Sequence, residues 1–195
     1  MAFNKKFWAE HETTELFISW ATITVAFALV LSKLNFGNFL TDLPIAAIGV
    51  GTGFVLHELA HKYVAIRYGA KAEFRHWNFG LILAIALPLI TFGNFLFAAP
   101  GAVYIYGKDI SRKENGIISL AGPATNIALA FVFLALGFSG FFSSIFLSVA
   151  AINIFLAAFN LIPFFPLDGS KVFAWNPVIW GIFFVPLALL VLFGF

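Results

Sequence analysis

Six long apolar stretches separated by short polar connections make up most of the chain. They cover residues 16–34, 43–66, 79–99, 117–138, 141–162 and 178–195. A helix needs about 20 apolar residues to cross a membrane, and the first, second, fourth and fifth stretches meet that length. The sixth contains Pro186, so a shorter or kinked span is expected there. This pattern predicts an all-α polytopic membrane protein with about five transmembrane helices.

The composition agrees with lipid as the surrounding solvent. Hydrophobic residues make up 62% of the chain and charged residues 10%, whereas a soluble domain carries about 25% charged residues. The chain has no cysteine, which excludes disulfides and thiolate metal sites. It also has no basic stripe interleaved with exposed aromatic residues, so no nucleic-acid partner is expected.

The third apolar stretch is flanked by basic residues on both sides. They are Arg67, Lys71 and Arg75 before it, and Lys108, Arg112 and Lys113 after it. Basic residues favour the cytoplasmic side, so a complete crossing would place one cluster on the wrong side. Gly93 and Asn94 are turn-prone and lie in its middle. We therefore expect a re-entrant, membrane-associated β-hairpin insert over 71–106, with two arms of about ten residues each within 79–99. A spanning segment is the alternative, and it would reverse the orientation of everything that follows.

The remaining segments predict one membrane-embedded domain over 16–195. Residues 1–15 are polar and carry Lys5 and Lys6, so they are expected to be an interfacial segment on the cytoplasmic side. Core helices are expected at 117–138 and 141–162, and a last span at 178–195. On this basis we expect a multi-pass protein of the cell membrane, with both the N-terminus and the opening of the active site facing the cytoplasm.

The chemistry predicted from the sequence centres on H-E-L-A-H at residues 57–61, within a predicted helix over 43–67. His57 and His61 are four residues apart and lie on one face of a helix, so both imidazoles can reach one metal ion. Glu58 is placed to accept a proton from water and pass it to a leaving amine. A glutamate buried in a transmembrane helix is costly unless it serves a partner or cavity. Two imidazoles and a carboxylate, with one open position, are the donors that zinc prefers.

A third metal ligand is required, and Asp168 is the best candidate. It lies in the segment 160–170 among apolar residues and helix breakers, whereas most other acidic residues lie in the polar N-terminus or in charged loops. An Asp-Gly turn at a helix end is the alternative explanation for this residue. His11 and His76 lie in charged, interfacial sequence and are not expected to be ligands.

These residues resemble the site-2 protease family of intramembrane metalloproteases. The resemblance rests on H-E-L-A-H and on the run Asn160…Pro163…Leu167-Asp168-Gly169. It implies that His57, His61 and Asp168 bind zinc and that Glu58 is the acid/base. It also implies that Asn160 helps to hold the substrate or the developing oxyanion.

Two further segments extend the resemblance. Ala121-Gly122-Pro123 is similar to the small-residue motif that opens the family's next core helix. The insert ending at 100–103 resembles the family's membrane-associated β region, which implies pairing with an unfolded substrate strand. The predicted function is that of an intramembrane zinc metalloprotease, acting on a single-span transmembrane protein in regulated intramembrane proteolysis.

Two other functions stay open at this point. A non-catalytic membrane metal-binding or transport protein would also place histidines and a carboxylate within the bilayer. The other class of membrane zinc peptidases cleaves from a soluble chamber and usually takes a glutamate downstream of H-E-x-x-H. Here only Glu73 and Glu114 follow the motif, and both lie in basic loops.

Overall fold

The computed structural model describes residues 7–140 and 142–193, which form helices around a small two-stranded sheet. The helices are α1 (Glu12–Leu31), α2 (Phe36–Val50), α3 (Leu56–Arg67), α4 (Asn78–Ile90), α5 (Arg112–Phe138), α6 (Ser143–Asn160), α7 (Asp168–Trp175) and α8 (Pro177–Phe193), and the strands are β1 (Lys71–His76) and β2 (Gly101–Tyr106). The orientation signal expected from Lys5 and Lys6, and the ends of two predicted spans at residues 141 and 194–195, lie outside the described residues.

The predicted fold class is confirmed. In the described part of the chain, four helical segments are long and apolar enough to cross a membrane: Glu12–Leu31, Phe36–Arg67, Arg112–Phe138 and Ser143–Asn160. Helix α8 has 17 residues and contains Pro186, so it is the shorter segment that the sequence predicts. Many large apolar side chains are exposed, including Phe131 on α5 and Ile182 on α8. Such a surface suits lipid and not water.

The metal-binding helix is longer than predicted. It begins at Phe36 and not near residue 43, because the side chain of Asn35 accepts a hydrogen bond from the Asn38 N–H at 3.1 Å and caps the first turn. Helices α2 and α3 continue into each other through a π-helical turn, Gly51–Val55, directly before the histidines. Turns of this kind are frequent at functional sites.

The insert forms the predicted two-stranded antiparallel sheet, but the position of its arms is corrected. The strands are β1 and β2, with Lys71 opposite Tyr106 and His76 opposite Gly101. Residues expected to form β arms within 79–99 instead begin with the 13-residue helix α4. The run from Phe79 is apolar without alternation, and a helix satisfies its own backbone hydrogen bonds in an apolar environment.

The N-terminal segment contributes a buried residue to the fold. Residues 1–15 stay a predicted interfacial segment, but α1 already begins at Glu12, and the side chain of Glu12 is completely buried. A carboxylate is stable there because the ammonium of Lys62 lies within 2.5–2.6 Å of both its oxygens. Lys62 follows His61 on α3, so this ion pair joins the first helix to the metal-binding helix.

The packing of the helices places α3 at the centre of the molecule. Helix α5 packs against both α3 and α6, and α1 packs against α2, α4 and β1. One apolar cluster joins α1, α2 and α6 to the insert, and a second joins α5, α6, α7 and α8. The metal-binding helix therefore lies between the sheet on one side and α5 with α7 on the other.

Candidate metal centre

Three predicted metal ligands meet at one point. Oδ2 of Asp168 lies 3.2 Å from Nε2 of His57 and 3.0 Å from Nε2 of His61. The donor atoms of the three residues all lie within 4.8 Å of one another, so the group could hold a metal ion. Both imidazoles are buried, with 3% and 6% of their surface exposed. The structure thus brings together residues more than a hundred positions apart in the sequence.

The spacing of these donors fits zinc. Zinc is held by imidazole nitrogen and carboxylate oxygen at about 2.0–2.2 Å, usually in tetrahedral geometry. Two donors of such a site are then about 3.3–3.5 Å apart. The separations of 3.0 and 3.2 Å between Asp168 and the histidines are within a few tenths of an ångström of this value.

Hydrogen bonds on the far side of each ring direct the Nε2 lone pairs toward this point. Nδ1 of His61 lies 2.7 Å from the main-chain oxygen of Ile118, which can only accept. Nδ1 of His57 lies 2.5 Å from Oδ1 of Asn126. Both Nδ1 atoms therefore carry the proton, and both Nε2 atoms are left free to bind a metal. Partners of this kind orient metal-binding histidines and raise their basicity.

The orientation of Asn126 is fixed by two further acceptors. Its amide nitrogen donates to the main-chain oxygen of Gly53 at 2.9 Å and to Oδ1 of Asn153 at 3.1 Å. Asn153 in turn donates to the main-chain oxygen of Val149 at 2.9 Å. With the amide nitrogen thus engaged, the oxygen of Asn126 must face His57. This buried relay links α6, α5 and the π-helical turn to the first histidine.

A glycine on α5 leaves the room that the donors occupy. A Cβ atom added to Gly122 would lie 2.4 Å from Nε2 of His61 and 2.5 Å from Nε2 of His57. Even alanine would therefore collide with both nitrogens at the point where they meet. This contact gives a physical reason for the glycine in the motif Ala121-Gly122-Pro123.

Asp168 begins α7 and is not inside the loop that the sequence predicts. The preceding loop from Leu161 to Leu167 brings the helix back toward α3. A Cβ atom at Gly169 would lie 2.0 Å from the main-chain oxygen of Leu161, so glycine is needed for this close return. The second carboxylate oxygen of Asp168 accepts a hydrogen bond from Lys171 at 3.4 Å. One oxygen is therefore turned to the histidines and the other to a cation.

Glu58 lies at the wall of a cavity of about 560 Å³ next to the three donors. Its side chain is almost completely buried, with 8% exposed. The cavity is also lined by His61, Asp168, Asn160 and Lys171. The arrangement gives a peptide-sized space in which a carboxylate, an amide and a metal-binding group face one another.

Five consecutive residues of β2, from Gly101 to Ile105, line the same cavity. The Trp77 N–H donates to the Pro100 oxygen at 2.7 Å, so Trp77 and Pro100 form a hydrogen-bonded pair. In an antiparallel sheet every second pair is hydrogen-bonded, and the pairs between them are not. It follows that the main-chain N–H and C=O groups of Gly101, Val103 and Ile105 point away from β1. These groups form the open edge of the sheet, and their residues line the cavity that Glu58 also lines.

Asn160 is placed at the cavity but has a local partner. Its amide nitrogen donates to the main-chain oxygen of Leu156, one turn earlier on α6, at 2.9 Å. The second N–H of the same amide is available for another acceptor. Neither His11 nor His76 belongs to the metal-binding group in the described residues: His76 instead contacts Asn78 and Glu15.

Sequence reasoning missed two features of the site. Asn126 joins α5 to α6 by bonding to Asn153, and its contact with His57 was not foreseen. The buried pair of Glu12 and Lys62 was not foreseen at all. Lys62 directly follows the second histidine of the motif, and a lysine inside an apolar helix is the signal that would have pointed to a buried acidic partner.

Comparison with known proteins finds relatives over most of the chain. The sequence profile of Peptidase family M50 matches residues 45–142. MJ0611 of Methanocaldococcus jannaschii, named as a proposed zinc metalloprotease, is 44% identical over 192 residues, which cover 92% of each chain. YwhC of Bacillus subtilis, with the same kind of name, is 30% identical over 156 residues, or 68% of this chain and 69% of its own length. Zinc metalloprotease MJ0392 of M. jannaschii is 29% identical over 154 residues, covering 76% of this chain and 39% of that protein. No solved structure matches the chain.

The matched segment contains H-E-L-A-H, Gly122 and Asn126, and the match to MJ0611 covers nearly the whole chain. Zinc is the cofactor named for these relatives, and it is the metal that the donor set of the described residues fits. The membrane helices, the buried donors and these matches lead to one conclusion: the chain belongs to Peptidase family M50, the site-2 protease family of zinc metalloproteases.

Proposed function

We propose that this protein hydrolyses peptide bonds of single-span transmembrane proteins within the membrane, as in regulated intramembrane proteolysis. One observation carries the proposal. The donors of His57, His61 and Asp168 converge beside Glu58 on a helical segment long enough to span the bilayer, at the wall of a cavity that also contains a strand edge.

In this proposal His57, His61 and Asp168 hold the zinc ion. When bound, zinc supplies Lewis-acid activation of water and of the peptide carbonyl. Glu58 accepts a proton from the attacking water and then donates it to the leaving amine nitrogen, so that the peptide and one water yield a carboxylate and an amine. Its position at the cavity wall, next to His61, suits this transfer because a general base must lie within hydrogen-bond reach of the proton.

The substrate is held by strand addition to β2. A transmembrane helix must unwind before cleavage because its amides are hydrogen-bonded internally. The open edge formed by Gly101, Val103 and Ile105 can replace those bonds, and main-chain pairing at an exposed sheet edge is a common mode of peptide recognition. The second N–H of Asn160 is then available for the carbonyl of the substrate or its developing oxyanion.

The proposed orientation places the cavity opening toward the cytoplasm. His57 lies ten residues before Arg67, or about 15 Å along an α-helix, so the site is near mid-bilayer and needs water from one side. Lys71 is the first residue of β1, and Lys108 follows the end of β2. Both lie on the side of the molecule toward which α3 runs. Basic loops favour the cytoplasmic face of the cell membrane.

A glutamine substitution at position 58 tests the proposal. We expect Glu58→Gln to keep its zinc and to lower cleavage of a single-span substrate in proteoliposomes by about 10²–10⁴-fold, the usual contribution of a general base. Glu10→Gln is the matched control because Glu10 is 90% exposed. Cleavage by Glu58→Gln at the control rate would remove Glu58 from the mechanism. Zinc flux into the vesicles without any peptide cleavage would favour a transport protein instead.

A further inference from the structure

The edge of the sheet opposite the cavity is closed by carboxylates of α1. On β1 the main-chain N–H groups of Phe74 and His76 point away from β2, by the same alternation that leaves the edge of β2 open. Oε1 of Glu12 accepts the Phe74 N–H at 2.9 Å, and Oε2 of Glu15 accepts the His76 N–H at 2.9 Å. Two side chains one turn apart on a helix thus take the place of a third strand.

Each carboxylate also binds a cationic side chain that lies next to the candidate metal centre or lines its cavity. Glu12 binds Lys62, the residue after His61, and both side chains are buried. Oε1 of Glu15 binds Arg75 at 2.7 Å, and Arg75 lines the cavity. The hydrogen bonds that Arg75 donates to Glu15 and to Glu73 raise the pKa of its guanidinium above the usual value. Sheet, first helix and metal-binding helix are therefore joined through two acidic side chains.

The contacts of Glu12 and Glu15 affect the distance between β2, where the substrate is proposed to pair, and Glu58, the proposed proton acceptor. A two-stranded sheet alone is marginally stable, so its position depends on what holds its outer edge. We propose that Glu12 and Glu15 are positioning residues. They hold the open edge of β2 at the distance from Glu58 at which a peptide paired with β2 faces the Glu58 carboxylate. The inference rests on the proposed function, because it concerns where that function's substrate is held.

Glu15 is the better residue to change because 14% of its side chain is exposed. Loss of Glu12 would instead leave the buried ammonium of Lys62 without its partner, which destabilises a fold strongly. Glu15→Ala removes the acceptor of the His76 N–H. Glu15→Gln is the matched control because it keeps one acceptor oxygen but loses the charge that Arg75 binds.

A distance measurement reads the position of the sheet directly. The chain has no cysteine, so Tyr104→Cys on β2, an exposed position, accepts a single nitroxide label. With Cu²⁺ loaded at the metal centre, pulsed electron paramagnetic resonance gives the distribution of label-to-metal distances. We expect Glu15→Ala to broaden this distribution and Glu15→Gln to keep it narrow. The same label at Phe138→Cys, an exposed position at the end of α5, should be unaffected by either change.

Kinetics of the unlabelled variants complete the test. A displacement of about 1 Å at a reacting centre costs up to about a hundredfold in rate. We therefore expect Glu15→Ala to lower kcat by about tenfold to a hundredfold with a smaller change in KM and undiminished zinc, and Glu15→Gln to recover most of kcat. A narrow distance distribution in Glu15→Ala would overturn the inference. So would a broadened distribution with unchanged cleavage, or a Gln variant as impaired as Ala. Failure of the unsubstituted protein to cleave any single-span substrate would instead count against the proposed function. The distance measurement would still test whether Glu15 fixes the position of the sheet.

Discussion

Replacing Gly122 with alanine tests whether the metal centre has the geometry described above. The added Cβ would lie 2.4 Å from Nε2 of His61 and 2.5 Å from Nε2 of His57, whereas ordinary contact begins at 3.4 Å. The rings must therefore move by about 1 Å (3.4 minus 2.4 Å). Zinc sites tolerate deviations of about 0.2 Å in ligand distance. A movement of this size is incompatible with two imidazoles and a carboxylate on one ion.

We expect the Gly122→Ala variant to lose zinc affinity by about a hundredfold or more, since changes outside the ligands themselves already cost 10- to 100-fold. A hundredfold loss corresponds to about 2.7 kcal/mol. Zinc content after purification, and competition with a chelator of known affinity, measure the effect. Circular dichroism should show unchanged helix content, because alanine is the better helix former by about 1 kcal/mol.

Two controls isolate the contact with the histidines. Because Gly122 precedes Pro123, an added Cβ also meets the proline ring, so the double variant Gly122→Ala/Pro123→Ala removes that second effect and should lose zinc equally. Gly181→Ala on α8 adds a Cβ that meets no described residue within 4 Å and should bind zinc normally. Stoichiometric zinc with unchanged affinity in the Gly122→Ala variant would refute the reasoning.

Three further predictions concern the partners of the centre. Asn126→Leu removes the acceptor of His57 Nδ1 and should weaken zinc binding about 10- to 100-fold, while Asn126→Asp, which keeps an acceptor, should bind more tightly than the leucine variant in the same chelator competition. Lys62→Met leaves Glu12 buried without its cation and should destabilise the protein by about 3–5 kcal/mol in a detergent unfolding assay. Adding Glu12→Gln, which removes the buried charge but keeps an acceptor for the Phe74 N–H, should restore most of that stability, and if it does not, the uncompensated charge is not the cause. Asp168→Ala should lower zinc content more than Asp168→Asn, and undiminished zinc in both would overturn the third-ligand proposal.

The parts of this protein that follow from local chemistry could be predicted from the sequence. His57 and His61 share a face because a helix repeats every 3.6 residues, and the apolar stretches predict helices because a bilayer demands them. The proximity of Asp168 came from the resemblance and from the shortage of other buried acids, not from periodicity. The structure places it 3.0–3.2 Å from the histidines, and its role as a ligand stays a proposal.

The features that depend on packing between distant segments could not be predicted. Lys62 inside an apolar helix indicates a buried acidic partner, but no local signal identifies that partner as Glu12, fifty residues away, because an acidic residue at a helix start is usually solvated. The β arms expected within 79–99 were wrong for a related reason. Turn-prone Gly93 and Asn94 indicated a reversal, which does occur, but the segment before them had no alternation to favour a strand. Tertiary packing instead favours a helix, α4, followed by an extended segment that leads back to β2.

The π-helical turn has a consequence for the placement of the glutamate. Ala46, Val50, Phe54, Glu58 and Lys62 are all buried and follow one another at intervals of four. On a regular α-helix such a series would rotate about 40° per step, or about 160° from first to last, and could not face inward throughout. The wider winding at Gly51–Val55 offsets part of that rotation. On an evenly wound helix, the face that carries Glu58 and Lys62 would therefore diverge from the buried face of Ala46 and Val50, even with every letter of the motif retained.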